Sequence, residues 1–252
     1  MNKAEGVLQL NDKACVALEG VEVSRWDTGK LVVATAANPL GKQNSIHHGD
    51  LQLALLTRAQ KLANIEIRLG ARVIDISIEE TAVFLATGEK IAGDLIIAAD
   101  GVKSTIKRKN WPPETKTAQP TGEAVYRFTL PRALMEKDEE LLTLVKRPWA
   151  RQWDGPDSHV VAYPIRNHQL FNVVLNHPDD RISDGRAEES WTNMMEKYHV
   201  ITTFEGWDPI VHKLIALAPA QVPNFRIFAH PPSPIWVRGS TILLGDACHA
   251  ML

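Results

Sequence analysis

Asp94-Leu95-Ile96-Ile97-Ala98-Ala99-Asp100-Gly101-Val102-Lys103-Ser104 decides how this chain folds. Leu95 to Ala99 is a short apolar run without charge, closed by a turn signal, and reads as a buried strand. Asp100-Gly101 is the turn: aspartate folds back onto its own backbone, and glycine accepts positive φ. Ser104 is placed to cap the segment that follows. A buried strand thus delivers a carboxylate and free backbone N–H groups to the edge of a sheet. In open α/β sheets, ligands bind at the carboxyl ends of strands.

The end of the chain repeats this pattern. Ser240-Thr241-Ile242-Leu243-Leu244 is a second apolar strand, running into the turn Gly245-Asp246-Ala247-Cys248-His249. Two apolar strands that both end in aspartate turns suit one ligand, so residues 236–252 are expected to return beside residues 94–104. The chain ends before a helix is expected to form after this turn. Cys248 and His249 are adjacent on the turn and are not expected to face each other as nucleophile and base.

Before the deciding stretch, Val21 to Val23 and Leu31 to Thr35 read as strands around the turn Asp27-Thr28-Gly29-Lys30. Asp50 reads as a helix N-cap, with Leu51, Ala54, Leu55, Arg58 and Leu62 at helical spacing behind it. Strands are expected over Ile65–Leu69, Arg72–Glu79 and Ala82–Ala86.

Beyond it, Trp111-Pro112-Pro113 and a polar linker mark a boundary. The second region reads as strands Glu123–Leu130, Leu142–Lys146, His159–Tyr163 and Leu170–Leu175, separated by turns, which suggests an antiparallel sheet. A helix follows over about 188–199. Another starts at Asp208-Pro209, an N-cap followed by proline at the first helical position. Phe225–Ala229 is a further strand.

Composition excludes several classes. Apolar residues make up 44% and charged residues 23% of the 252, as in ordinary soluble proteins. A net charge of -2 gives no electrostatic case for nucleic acid. Two cysteines, Cys15 and Cys248, make no disulfide framework and point to a reducing, cytoplasmic setting. The start has no apolar signal core, and no apolar run approaches the roughly 20 residues that span a bilayer. No metal-ligand spacing is present; His47-His48 is a dipeptide whose side chains do not share a helix face.

Three blocks carry a family resemblance: His47-His48-Gly49-Asp50-Leu51, Asp94 to Lys107, and Thr241 to Leu252. They are similar to the His-Arg-x-Asp-Leu, Asp-Gly and Gly-Asp motifs of the flavin-dependent aromatic monooxygenases with the para-hydroxybenzoate hydroxylase fold. The chain looks most like their salicylate-hydroxylase-like fungal branch. Tyr126-Arg127 and Tyr163-Pro164-Ile165-Arg166 look like segments of that family's substrate sheet.

The resemblance implies a mixed α/β (α+β) fold: an incomplete Rossmann-like FAD-binding domain over 1–118 and 234–252, and an antiparallel-sheet substrate-binding domain over 119–233. It implies FAD as cofactor, NAD(P)H as co-substrate, and oxygen transfer to an aromatic small molecule. His48, Asp100, Gly101, Gly245 and Asp246 would be cofactor-binding. Arg127 and Tyr163 would be catalytic, as a fixed cation and a phenol.

The departures bear on the cofactor. No Gly-x-Gly occurs anywhere, so the diphosphate cradle and its β-α-β unit are missing from the pattern. His48 replaces the flavin-contacting arginine, and Lys107 replaces the arginine closing the Asp-Gly block. The chain therefore reads as an internal piece of a longer enzyme, with impaired FAD binding expected. An inactive flavin-fold remnant and a truncated gene product are the alternatives to a working monooxygenase.

Overall fold

The computed structural model describes residues 14–38, 40–41, 43–112, 118–179, 193–233 and 235–250. The described part opens with four strands: β1 (Cys15–Leu18), β2 (Gly20–Arg25), β3 (Leu31–Ala36) and β4 (Gln43–Ile46). β2 and β3 form the expected hairpin, where Gly29 takes φ 63° and the Arg25 N–H donates to the Lys30 carbonyl. Helix α1 (His48–Gln60) follows. Asp50 lies in its first turn and is not its cap, because the helix is already entered at His47, whose carbonyl accepts from the Asp50 N–H.

Residues 65–69 form no strand, contrary to expectation. The apolar residues there are exposed, Leu69 by 84%, and among the described residues no strand pairs with them. Then come β5 (Val73–Ser77), β6 (Ala82–Leu85) and β7 (Lys90–Ala92), a three-stranded antiparallel meander. β8 (Ile96–Ala98) is the strand of the deciding stretch, followed by α2 (Thr105–Asn110). Only half of its reading as a buried strand holds. Ala98 is buried, but Leu95 and Ile97 are 53% and 57% exposed, since β8 is the edge of its sheet and has one uncovered face among the described residues.

The long strand β9 (Gln119–Pro131) leads to α3 (Arg132–Met135) and α4 (Glu139–Lys146). Residues 142–146, expected as a strand, are helical. Asp138 caps α4 by accepting from the Glu140 and Leu141 N–H groups, and Leu141, Leu144 and Val145 then line one helical face. β10 (Trp149–Gly155), β11 (Ser158–Ile165) and β12 (Leu170–Pro178) follow as antiparallel neighbours. The helix expected over about 188–199 falls partly outside the described residues. The described part is β13 (Met194–Glu196) and α5 (Lys197–Thr203). Helix α6 (Pro209–Ala216) starts as expected, with Asp208 as its cap and proline at its first position. β14 (Gln221–Ala229), β15 (Val237–Arg238), β16 (Thr241–Leu243) and α7 (Asp246–His249) complete the described part. The last is a single helical turn after the Gly-Asp block, where none was expected.

Eight strands form one sheet in the order β13-β14-β9-β12-β11-β10-β2-β3. Pairing register divides its side chains between two faces. One face carries Tyr126, Phe128, Leu130, Trp153, Val160, Phe171, Val173 and Leu175, all buried. It packs against Leu144 and Val145 of α4, Phe204 beside α5, and Val211 and Leu214 of α6. Each such side chain contributes on the order of 1.5–3 kcal/mol by leaving water. The other face carries Arg127, Val161, Tyr163, Asn172 and Gln152, and is half open.

Two compact units result. Described residues up to Glu66 group with Glu123–Arg226, because β2 extends the large sheet through parallel pairing with β10. Ile67–Gly122 group with Ile227 onward.

Candidate active site

In the smaller unit, β8 and β16 pair in parallel, with Ala98 opposite Leu243. Both aspartate turns therefore leave from the same end of one small sheet, as the sequence implied. At Gly101 and Gly245 the backbone takes φ of 81° and 60°, and an added Cβ would meet nothing within 4 Å. The two carboxylates differ. Asp100 accepts from the Ser104 hydroxyl at 2.6 Å and from the Ile106 N–H at 3.1 Å. Ser104 in turn accepts from the Lys107 N–H at 2.9 Å, so the expected cap is in place and Asp100 steadies it. Asp246 is exposed, begins α7, and has no hydrogen bond or ion pair among the described residues.

Lys107 is buried against these turns. Its Nζ donates to the Cys248 carbonyl at 3.2 Å and lies 3.2 Å from Nδ1 of His230. Burial pulls the Lys107 pKa down and pushes the Cys248 thiol up. Cys248 is thus a buried, protonated thiol, while the His249 ring is exposed and stacks on Trp236 at 5.3 Å. As expected, the pair does not form a nucleophile and base.

In the larger unit, the half-open face holds a cleft of about 410 Å³. Leu18, Asn44 and Ile46 close it from β1 and β4; Val161 and Tyr163 form its floor on β11; Ala150 and Gln152 line it from β10. The Ser45 hydroxyl fastens β4 to the sheet by donating to the Pro164 carbonyl at 2.5 Å. The Tyr163 ring packs beside Val16, Leu18 and Ala150, and its hydroxyl has no protein partner among the described residues. Tyr163 stands opposite Asn172 in register, and Asn172 accepts from Nε of Arg127 at 3.3 Å. Arg127 and Tyr163 therefore share a face, as candidate partners must, but only Tyr163 lines the cleft. His48 is exposed at the start of α1. Gln43, Asn44 and Gln152 escaped the sequence reading, since polar amides in short strands carry no motif.

No protein-family model matches the chain. Over 250 residues it is 63% identical to the FAD-dependent monooxygenase atnJ of an Arthrinium species, covering 99% of this chain and 58% of that protein. The chain belongs to the FAD-dependent monooxygenase family. A 3-hydroxybenzoate 6-hydroxylase of Polaromonas naphthalenivorans is 30% identical over 254 residues, covering 98% of this chain and 58% of the relative. A solved salicylate hydroxylase substrate complex superposes with a TM-score of 0.78 at 23% identity, covering 99% of this chain and 64% of that one. The fold is that of these flavin monooxygenases. The chain spans somewhat over half the length of the curated relatives it matches. None of its helices, among the described residues, is long and apolar enough to cross a membrane.

Proposed function

We propose that this chain forms the substrate-facing and part of the cofactor-facing framework of an FAD-dependent monooxygenase. That enzyme uses NAD(P)H and dioxygen to hydroxylate an aromatic or related small molecule. The observation that carries this reading is the cleft floored by Tyr163 on the half-open sheet face of a family member.

The residues present fit part of the cofactor. Asp246 offers an exposed carboxylate without a partner among the described residues, beside the open backbone of Gly245. That donor set suits hydroxyl groups such as those of a ribityl or ribose chain. Gly101 leaves similar open space, and Asp100 keeps lone pairs beyond its two loop contacts. No Gly-x-Gly diphosphate cradle occurs in the sequence. FAD, when bound, supplies hydride acceptance from NAD(P)H and activation of dioxygen.

The protein's share is binding, orientation and exclusion of water. Leu18, Val21, Ile46 and Val161 give the cleft apolar walls that keep solvent off the ring. The Tyr163 hydroxyl donates to or accepts from a ring substituent and can carry its proton. Arg127, held by Asn172, keeps a fixed positive charge on the same face.

A chimera tests this: the Arthrinium relative with its matching 250 residues exchanged for this sequence. It is expected to oxidise NAD(P)H and to place one oxygen atom from labelled dioxygen into an aromatic product. A chimera that binds FAD yet incorporates no oxygen into any aromatic would overturn the reading.

A further inference from the structure

We infer that the cleft beside Tyr163 selects an uncharged aromatic, one bearing phenol, ketone or ester groups, and turns away aromatic carboxylates. Calling its occupant a substrate rests on the monooxygenase reading above; the selectivity itself rests on the cleft alone. Among the described residues that line it, none is Lys, Arg, His, Asp or Glu. Its polar groups are the amides of Gln43, Asn44 and Gln152, the Tyr163 phenol and the Ser45 hydroxyl. Ser45 is already spent on the Pro164 carbonyl. Gln152 donates its Nε2 to Asp154 at 2.8 Å, which leaves its carbonyl oxygen as an acceptor.

Among the described residues, the arginines on and beside β9, β10 and β11 stand elsewhere. Arg127 lies on β9, separated from β11 by β12, and is bonded to Asn172. Arg147 and Arg151 pair with Glu22, at 2.7 and 3.0 Å, and Arg151 and Glu22 belong to the opposite sheet face. Arg166 is held by Asp50.

A carboxylate entering the cleft would give up water and meet no cation among the described lining residues, and burying an unpaired charge is costly. A charge-assisted, bidentate arginine contact would offset that cost, and no arginine is among the described residues that line the cleft. A phenol or carbonyl, by contrast, finds a matching neutral donor or acceptor in Tyr163, Asn44 or Gln152. The apolar walls take up the ring.

Methyl salicylate and salicylate differ in charge at one group and make the test. Their dissociation constants are measured on the full chain, without FAD, by NMR signals of Val161 and Tyr163. The ester is expected to bind at least about tenfold tighter. Asn44→Arg, at an exposed position on the rim, is expected to raise salicylate affinity about tenfold with the urea midpoint unchanged. Tyr163→Phe is expected to weaken the ester several-fold. Equal or tighter binding of salicylate to the unmodified chain would overturn the inference, as would the absence of any shift at the cleft with either ligand. Selectivity that holds while the chimera fails to oxygenate would sink the monooxygenase reading and leave this one standing.

Discussion

Asp100 and Asp246 follow neighbouring parallel strands, yet only Asp100 has its carboxylate engaged by its own loop. The two should therefore respond differently to the same substitution. Asp100→Ala removes the acceptor for the Ser104 hydroxyl and the Ile106 N–H, and is expected to cost about 1 kcal/mol, read from the urea midpoint. Asp246→Ala removes no hydrogen bond or ion pair to a described residue and should leave that midpoint within about 0.5 kcal/mol of the parent. In the chimera, it should weaken FAD binding by about tenfold, the loss of one hydrogen bond to a charged group. The opposite pattern would mean that the roles of the two aspartates are exchanged.

The larger unit depends on a second aspartate arrangement. Asp208 accepts from the buried Trp153 Nε1 at 2.7 Å through one oxygen, and caps α6 at the Ile210 N–H at 2.9 Å through the other. Asp208→Ala loses the cap and strands an indole N–H in the core. The expected cost is about 2–4 kcal/mol, measured by urea unfolding. Gly29 sets the same limit from the other side. A Cβ there would lie 2.1 Å from Oδ2 of Asp208, at a φ of +63°. Gly29→Ala should thus destabilise by a similar amount, and a neutral result would show that the hairpin can move away from α6.

These contacts show what the sequence could and could not display. The Asp-Gly and Gly-Asp turns, the Ser104 cap and the Asp208-Pro209 helix start were legible because each is local: a residue type acts on backbone a few positions away. Residues 142–146 are helical because the Asp138 cap and the Leu141, Leu144, Val145 spacing act together, and a short apolar run by itself does not separate strand from helix. Residues 65–69 misled because a strand needs a neighbour, and alternation alone does not supply one. The cleft could not be read at all. It joins β1 and β4 to β10 and β11, over a hundred residues away, and its selectivity lies in plain amides. Arg127 and Tyr163 were chosen from the resemblance. The structure places both on the open face but only one of them at the cleft.

A third prediction concerns pH. Arg166 grips Asp50 with two bonds, Nε to Oδ2 at 2.6 Å and Nη2 to Oδ1 at 2.7 Å. The hydrogen bond from Arg166 leads in holding the Asp50 carboxyl below its ordinary range. A carboxyl whose folded pKa is depressed adds stability above its unfolded pKa of about 3.9, and that contribution is lost as pH falls through the lower folded value. The pair is partly solvated, with side-chain exposures of 46% and 23%, so its worth is discounted to about 0.5–1 kcal/mol. Arg166→Ala should show that loss in urea at neutral pH, and the gap to the parent should close below about pH 4. A gap constant from neutral pH to about pH 3 would assign the loss to packing and not to the ion pair.

The last prediction concerns the two residues on the open face. Tyr163 presents to the cleft a hydroxyl without a partner among the described residues, whereas Arg127 is exposed and already bonded to Asn172. In the chimera, Tyr163→Phe removes the hydroxyl and keeps the ring against Leu18 and Ala150. Hydroxylation should slow by about tenfold if the phenol only donates a hydrogen bond, and by a hundredfold or more if it carries a proton in the slow step. A flattened pH profile of kcat would accompany the second case and not the first. Arg127→Ala acts from outside the cleft. It should raise KM more than it lowers kcat, and should leave FAD bound, because Arg127 holds Asn172 opposite Tyr163 without lining the pocket. The measurement is the set of kcat, KM and flavin content for the parent and both variants. Unchanged turnover in both would reduce Arg127 and Tyr163 to strand residues. A larger kcat loss in Arg127→Ala than in Tyr163→Phe would place the reacting ring nearer β9 than the cleft.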